Sequence, residues 1–184
     1  SVTGVTTMQM DEGLDTGDMI MKTEVPIAED ETGETLHDKL AAAGAELCVE
    51  TLKALEDGTA VHEKQGKSPT AYAKMLTKEL GNIDWTQPAV RIERLIRGLN
   101  SWPGTYSHWN GKVMKIWKAK AEENNGGNNQ PGAVLGVGKN DFTVQTGDGI
   151  LRILEVQMPG KKRMETGAFL RGNTMEPGDV LTQV

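Results

Sequence analysis

Residues 1–67 of this 184-residue chain contain no tryptophan, tyrosine, phenylalanine or arginine. A segment without aromatic side chains has little from which to build its own core, because small domains bury a low fraction of their surface. The chain has one cysteine, Cys48, which excludes an internal disulfide. His37, His62 and His108 are its three histidines; no two have metal-ligand spacing and there is no Cys/His cluster, so a metal site is not expected. No apolar run approaches the ~20 residues a membrane helix needs. The first residues show no charged-then-apolar signal pattern. Gly-x-Ser-x-Gly elbows and Gly-x-x-x-x-Gly-Lys phosphate loops are missing. One free thiol and nine methionines fit a reducing compartment.

The net charge of −6 argues against a wholly basic nucleic-acid binder, yet the charge is unevenly divided. Residues 1–67 hold 15 Asp+Glu against 5 Lys, a net of −10, and residues 68–184 hold 15 Lys+Arg against 11 Asp+Glu, a net of +4. All the aromatic residues lie in the second part. Such asymmetry points to different partners for the two parts.

In the first part, Thr3 to Met10 and Met19 to Ile27 read as strands. Thr35 with Asp38 reads as the capping box of a helix carrying Leu36, Leu40, Leu47, Cys48, Leu52 and Leu55 at helical spacing, ended by Gly58. Cys48 falls on that apolar stripe and is expected in the core. One hairpin and one helix are marginal alone, so this part is expected to be the end of a larger domain. Val61 to Pro69 reads as a polar linker. After the stretch Ala71 to Leu80 comes a second helix, capped by Thr86 with Pro88 in its first turn. It carries Ile92, Leu95, Ile96 and Leu99 on one face and Arg91, Arg94 and Arg97 on the other. Tyr106–Trp109, Asn110-Gly111 and Lys112–Lys120 form a strong hairpin signal. Ala121 to Gly132 reads as a flexible loop. Ala133–Val137, Phe142–Gln145 and Ile150–Gln157 are further strands, and this spacing suggests a small, nearly closed barrel.

Two stretches could carry chemistry. The loop Asp11-Glu12-Gly13-Leu14-Asp15-Thr16-Gly17-Asp18 sets carboxylates and glycines between two strands. A carboxylate there can act as general acid or base, or steer a nearby histidine. A solvated acidic turn has the same composition. In the second part, Arg91, Arg94 and Arg97, the lysines Lys112, Lys115, Lys118 and Lys120, and the turn Lys161-Lys162-Arg163 suggest contact with a phosphate backbone. The wet face of a helix with local ion pairs would look alike.

Gly4-Val5-Thr6-Thr7-Met8-Gln9-Met10-Asp11 followed by Gly13-Leu14-Asp15-Thr16-Gly17-Asp18-Met19 resembles the methionyl-tRNA formyltransferase family. The resemblance continues in order through Thr35-Leu36-His37-Asp38-Lys39-Leu40, Ile83-Asp84-Trp85, Asn100-Ser101-Trp102-Pro103, Thr146-Gly147-Asp148-Gly149 and Pro159-Gly160-Lys161-Lys162. It implies an α/β + β chain: the C-terminal remnant of a Rossmann-like catalytic domain (1–60), a linker (61–69), and a small OB-like β-barrel with one or two helices (70–184). The implied activity is transfer of a formyl group from 10-formyltetrahydrofolate to the amino group of methionyl initiator tRNA, by a cytoplasmic monomer with no metal and no membrane association. Of the family's Asn, His and Asp constellation, only the aspartate has a matching position, Asp15. The resemblance implies that Asp15 holds and polarises the histidine and assists proton transfer. Asp11, Glu12, Gly13 and Leu14 would lie near the folate. Lys74, Lys78, Arg91, Arg94, Lys161, Lys162 and Arg171 are the candidate tRNA contacts. The Asn and His belong to a Ser-Leu-Leu-Pro region upstream of the matching positions, so these 184 residues alone are expected not to transfer formyl groups. Two rival readings share parts of the pattern: a formyltransferase acting on an aminosugar nucleotide, and a stand-alone RNA-binding barrel without catalysis.

Overall fold

The computed structural model describes every residue except 69, 124–128 and 184. Pro69 of the expected linker and residues 124–128 of the expected flexible loop therefore lie outside the described residues. The chain divides into two compact units, Ser1–Lys74 and Met75–Val184.

In the first unit, strands β1 (Val2–Met8) and β2 (Met19–Pro26) pair antiparallel, from Val2↔Pro26 to Thr7↔Met21. Helix α1 (Gly33–Glu56) packs on this hairpin. The contact is partly polar: the hydroxyls of Thr7 and Thr51 lie 2.8 Å apart, and that of Thr51 donates to the Leu47 carbonyl at 2.7 Å. Glu63 exchanges backbone hydrogen bonds of 2.8 Å with Met19, so part of the polar run read as a linker fastens onto this hairpin.

Two expectations about α1 are corrected. Its cap is Thr32, not Thr35: the Thr32 hydroxyl accepts from the Thr35 N–H and the Thr35 hydroxyl accepts from the Thr32 N–H. The box is thus shifted by three residues, because threonine serves equally at either end of it. Gly58 does follow the helix with a left-handed φ of 67°. Cys48 is exposed rather than in the core. The helix carries two apolar lines, and the hairpin covers the one through Leu47, Thr51 and Ala54, leaving Cys48, Val49, Leu52 and Leu55 exposed.

In the second unit, β3 (Thr105–Trp109), β4 (Lys112–Glu122), β5 (Val134–Val137), β6 (Phe142–Gln145) and β7 (Ile150–Gln157) form a sheet in the order β3-β4-β7-β6-β5. A short β8 (Met164–Glu165) also pairs with β7. The Asn110-Gly111 turn has both residues at positive φ, 50° and 70°, as its sequence requires. Residues 178–182 give the outer strands backbone partners: Thr182 exchanges hydrogen bonds with His108, while Leu181 and Gly178 donate to Gly132 and Val134. Phe142, Val144, Leu151, Ile153, Ile116 and Phe169 are essentially inaccessible at the centre. The buried indoles keep partners for their N–H groups, Trp85 on the Ser107 hydroxyl and Trp109 on Asp179, each at 2.9 Å.

Helix α2 (Ala89–Gly98) buries Ile92 and Ile96, and Leu99 just past its end, as the spacing requires. Its cap differs from expectation. Pro88 is the N-cap, and Thr86 instead bonds Asp84 through its hydroxyl (2.6 Å) and its N–H (3.0 Å). The sequence pattern gives no sign of a 3-10 turn at Lys78–Gly81, of β8, or of the five-residue helix α3 (Thr166–Leu170), all too short to show a period.

Glu31 illustrates how tightly the start of α1 is held. Its nearly buried side chain accepts from the Lys39 ammonium, the Thr35 hydroxyl (2.5 Å) and the Ala28 N–H (3.2 Å). These donors, Lys39 foremost, bring its pKa down to about 2 from an ordinary 4.5. A depressed carboxylate stabilises the fold above its unfolded pKa and loses that contribution as pH falls through the folded one. The denaturant midpoint of the first unit, followed by circular dichroism, is therefore expected to fall between pH 4.5 and 2. In Glu31→Gln that fall flattens. An unchanged pH profile in the variant contradicts this role for Glu31.

Candidate functional site

The acidic loop joins β1 to β2, and its backbone is pinned at several points. Asp11 accepts from the Gly13 N–H at 3.0 Å and the Thr16 hydroxyl at 2.6 Å, folding the first half of the loop on itself. The Gln9 N–H donates to the Asp18 carbonyl at 2.8 Å and closes its base. Gly17 is buried, and a Cβ placed there would come within 1.6 Å of the Gln9 carbonyl oxygen. No other residue fits without moving backbone. Asp15 stands at φ 53°, a left-handed conformation that aspartate tolerates better than most residues.

Gln65 completes the arrangement. Its side-chain amide donates to the carbonyls of Asp15 (2.9 Å) and Gly17 (2.6 Å). Sequence patterning misses this residue: it lies 50 positions after Asp15, in a polar run with no periodicity. The result is an exposed carboxyl group on a fixed backbone, with no hydrogen-bond partner to the Asp15 side chain among the described residues. Glu12 and Leu14 are exposed beside it, and Leu14 is 78% accessible despite being aliphatic. The described residues hold no group of three His, Cys, Asp or Glu side chains able to hold a metal ion.

On the second unit the structure sorts the arginines. Arg97 pairs with Glu93 at 2.5 Å, Arg152 with Glu122 (2.8 Å) and Asp141 (2.6 Å), and Arg163 with Glu155 at 2.5 Å. Hydrogen bonding and mutual charge lower the Glu122 pKa and raise that of Arg152. Arg163 also lies 5.1 Å from the centre of the Trp117 ring, with Lys115 at 5.3 Å. These are structural cations. Arg91 and Arg94 are exposed neighbours on α2 and border one cleft. Lys161 and Lys162 sit together in the turn after β7, Arg171 at the end of α3, and Lys78 on the 3-10 turn, all exposed. Lys74, also exposed, is the last residue of the first unit.

Residues 75–174 match the family described as formyl transferase, C-terminal domain, and residues 1–52 match the family described as formyl transferase. The chain belongs to the formyl transferase family. The methionyl-tRNA formyltransferase of Agathobacter rectalis is 57% identical to it over 180 residues, which is 98% of this chain and 58% of that protein. The methionyl-tRNA formyltransferase of Caldanaerobacter subterraneus subsp. tengcongensis is 49% identical over 97% of this chain and 57% of that protein. The chain thus spans somewhat over half the length of these relatives. Among solved structures, HypX from Aquifex aeolicus in complex with tetrahydrofolic acid shares the fold, with a TM-score of 0.65 at 23% identity, over all of this chain and 34% of that one.

In this formyl transferase chain the loop depends on a side chain being absent. Gly17→Ala is expected to open its base and raise amide exchange at Gln9 at least about tenfold, with strand β1 less affected. Unchanged protection at Gln9 contradicts the constraint.

Proposed function

We propose that this chain is the C-terminal part of a methionyl-tRNA formyltransferase, which moves a formyl group from 10-formyltetrahydrofolate to the amino group of methionyl initiator tRNA. The observation that carries this reading is the 57% identity to such an enzyme across both family-matched parts. Residues 1–60 are then the end of the catalytic domain, 61–69 a linker and 70–184 an OB-like barrel. Backbone partners on both outer strands, supplied by residues 178–182, support closure of the barrel. The exposed Val49, Leu52 and Leu55 support a larger first domain, since neighbouring aliphatic side chains on one helix are ordinarily covered.

Asp15 is the catalytic residue of this reading. As the methionyl amine attacks the formyl carbon it must lose a proton while the folate nitrogen leaves with one. Asp15 orients and polarises the family's histidine and assists that proton movement. Its open carboxyl group on a backbone fixed by Gln65 and Gly17 suits the role. Asp11, Glu12, Gly13 and Leu14 form the folate side, where Asp11 shapes the loop through its own hydrogen bonds and the exposed Leu14 offers apolar contact to a ring. Lys74, Lys78, Arg91, Arg94, Lys161, Lys162 and Arg171 are the pool of tRNA contacts. No helix among the described residues is long and apolar enough to cross a membrane; a cytoplasmic monomer is the corresponding assignment.

Fused behind the N-terminal portion of the Agathobacter rectalis relative, the chain is expected to formylate methionyl-tRNA. Residues 1–184 alone are expected to give no product above a blank. A folded fusion that leaves methionyl-tRNA untouched, or that formylates a nucleotide-linked aminosugar instead, contradicts the proposal.

A further inference from the structure

Six arginines are present, and carboxylates account for three of them: Arg97, Arg152 and Arg163. Among the described residues no carboxylate lies within ion-pair distance of Arg91, Arg94 or Arg171. Two of these three, Arg91 and Arg94, stand at i and i+3 on α2, which places their Cβ atoms roughly 5–6 Å apart on one helix face. Both border a cleft of about 520 Å³ between α2 and the 3-10 turn.

The walls of that cleft are fastened to the sheet. The Ile83 N–H donates to the Tyr106 carbonyl at 2.9 Å, and a Cβ on Gly81 would come within 2.1 Å of the Gly104 carbonyl oxygen. On the other side, the Ala89 N–H donates to the Asp148 carbonyl at 2.8 Å, and the Gly147 N–H to that of Trp85 at 2.9 Å. The cleft's apolar surface is Leu80, 49% exposed, with Leu95 half-buried and Ile92 beneath. Its carboxylates are already committed to local donors. Asp84 takes the Thr86 hydroxyl, the Gln87 amide and the Thr86 N–H and, last among these causes, feels the charge of Arg91 without forming an ion pair with it, while Glu79 takes the Thr77 hydroxyl; each of these lowers the acid's pKa.

We propose that this cleft seats one nucleotide of RNA, its phosphodiester held by Arg91 and Arg94 and its ribose against Leu80 and Leu95. Charge and shape favour that occupant. Two guanidiniums presented together match a phosphate oxygen pair, and a half-exposed leucine beside them matches the apolar side of a sugar. The inference rests on the tRNA reading above and narrows it: from the pool of basic residues, it selects the two arginines that share a fixed cavity. Lys161 and Lys162 occupy a different turn and are not part of it.

The test uses residues 1–184 and fluorescein-labelled initiator tRNA transcript, with anisotropy titrations from 20 to 200 mM KCl. Arg91→Ala/Arg94→Ala is expected to weaken binding about tenfold at low salt. The slope of log K against log salt should fall by about one for each phosphate that the variant no longer neutralises. Leu80→Glu, which keeps both arginines and changes a half-exposed site, is expected to weaken binding comparably. Lys139→Ala, a single charge removed elsewhere, is the control and is expected to leave affinity within twofold. Unchanged thermal midpoints show that the variants fold. Wild-type affinity and slope in the double variant overturn the cleft while leaving the formyltransferase reading intact. No binding by the wild-type chain at 20 mM KCl also overturns the cleft, and formylation by the full-length fusion then decides the wider reading separately.

Discussion

Everything proposed for Asp15 depends on the absence of a side chain two residues later. The chain leaves β1 at Met8 and must re-enter at Met19 with its loop folded back on itself. The fold-back passes the Gln9 carbonyl so closely at Gly17 that a Cβ has no room. Once the crossing is made, the carbonyls of Asp15 and Gly17 both face the Gln65 amide, and the Gln9 N–H reaches Asp18. Order in the backbone is what distinguishes this turn from a merely acidic, solvated one. It presents a carboxyl group at a fixed place without consuming the group's own hydrogen bonds, an arrangement suited to acting on another residue.

The second unit solves a different problem. A five-strand path would leave β3 and β5 as open edges, a standing invitation to pair with other chains. Residues 178–182 run between them and supply backbone partners to both. Hydrogen bonds from the sheet and its loops likewise fix α2 and the 3-10 turn, so the surface cations stand on a rigid base. On that base the cations divide into two kinds. Arg97, Arg152 and Arg163 serve the fold through carboxylates and Trp117, whereas Arg91 and Arg94 make no ion pair among the described residues, Arg91 acting on Asp84 only through its charge, and both face a cleft.

How much of this can be read in the sequence follows from the range of the interactions involved. The Asn110-Gly111 hairpin, the strands Phe142–Gln145 and Ile150–Gln157, and the buried stripe of α2 are legible, because each is written in adjacent residues or in one clean period. The cap of α1 is misplaced by three residues, since Thr32 and Thr35 are chemically interchangeable at the two ends of a capping box. Cys48 is misassigned to the core because α1 carries two apolar lines, and only packing on the hairpin decides which is covered. Asp15 can be named from a motif, whereas its support by Gln65 cannot: nothing local to either residue announces a hydrogen bond across 50 positions. Likewise, Arg152 and Arg163 are paired by where the carboxylates of other segments fall, whereas Arg97 meets Glu93 one turn back on its own helix.

The central claim is that the pinned carboxyl group of Asp15 takes part in formyl transfer. It is tested most directly by single-turnover formylation of methionyl-tRNA with the full-length fusion, comparing Asp15→Asn with the parent. The rate is expected to fall by about 10²-fold or more, the range of a missing general acid–base contribution, with tRNA affinity and thermal midpoint unchanged. A variant that folds, binds tRNA and turns over within a few-fold of the parent would show that the loop is structural and that the chemistry lies elsewhere.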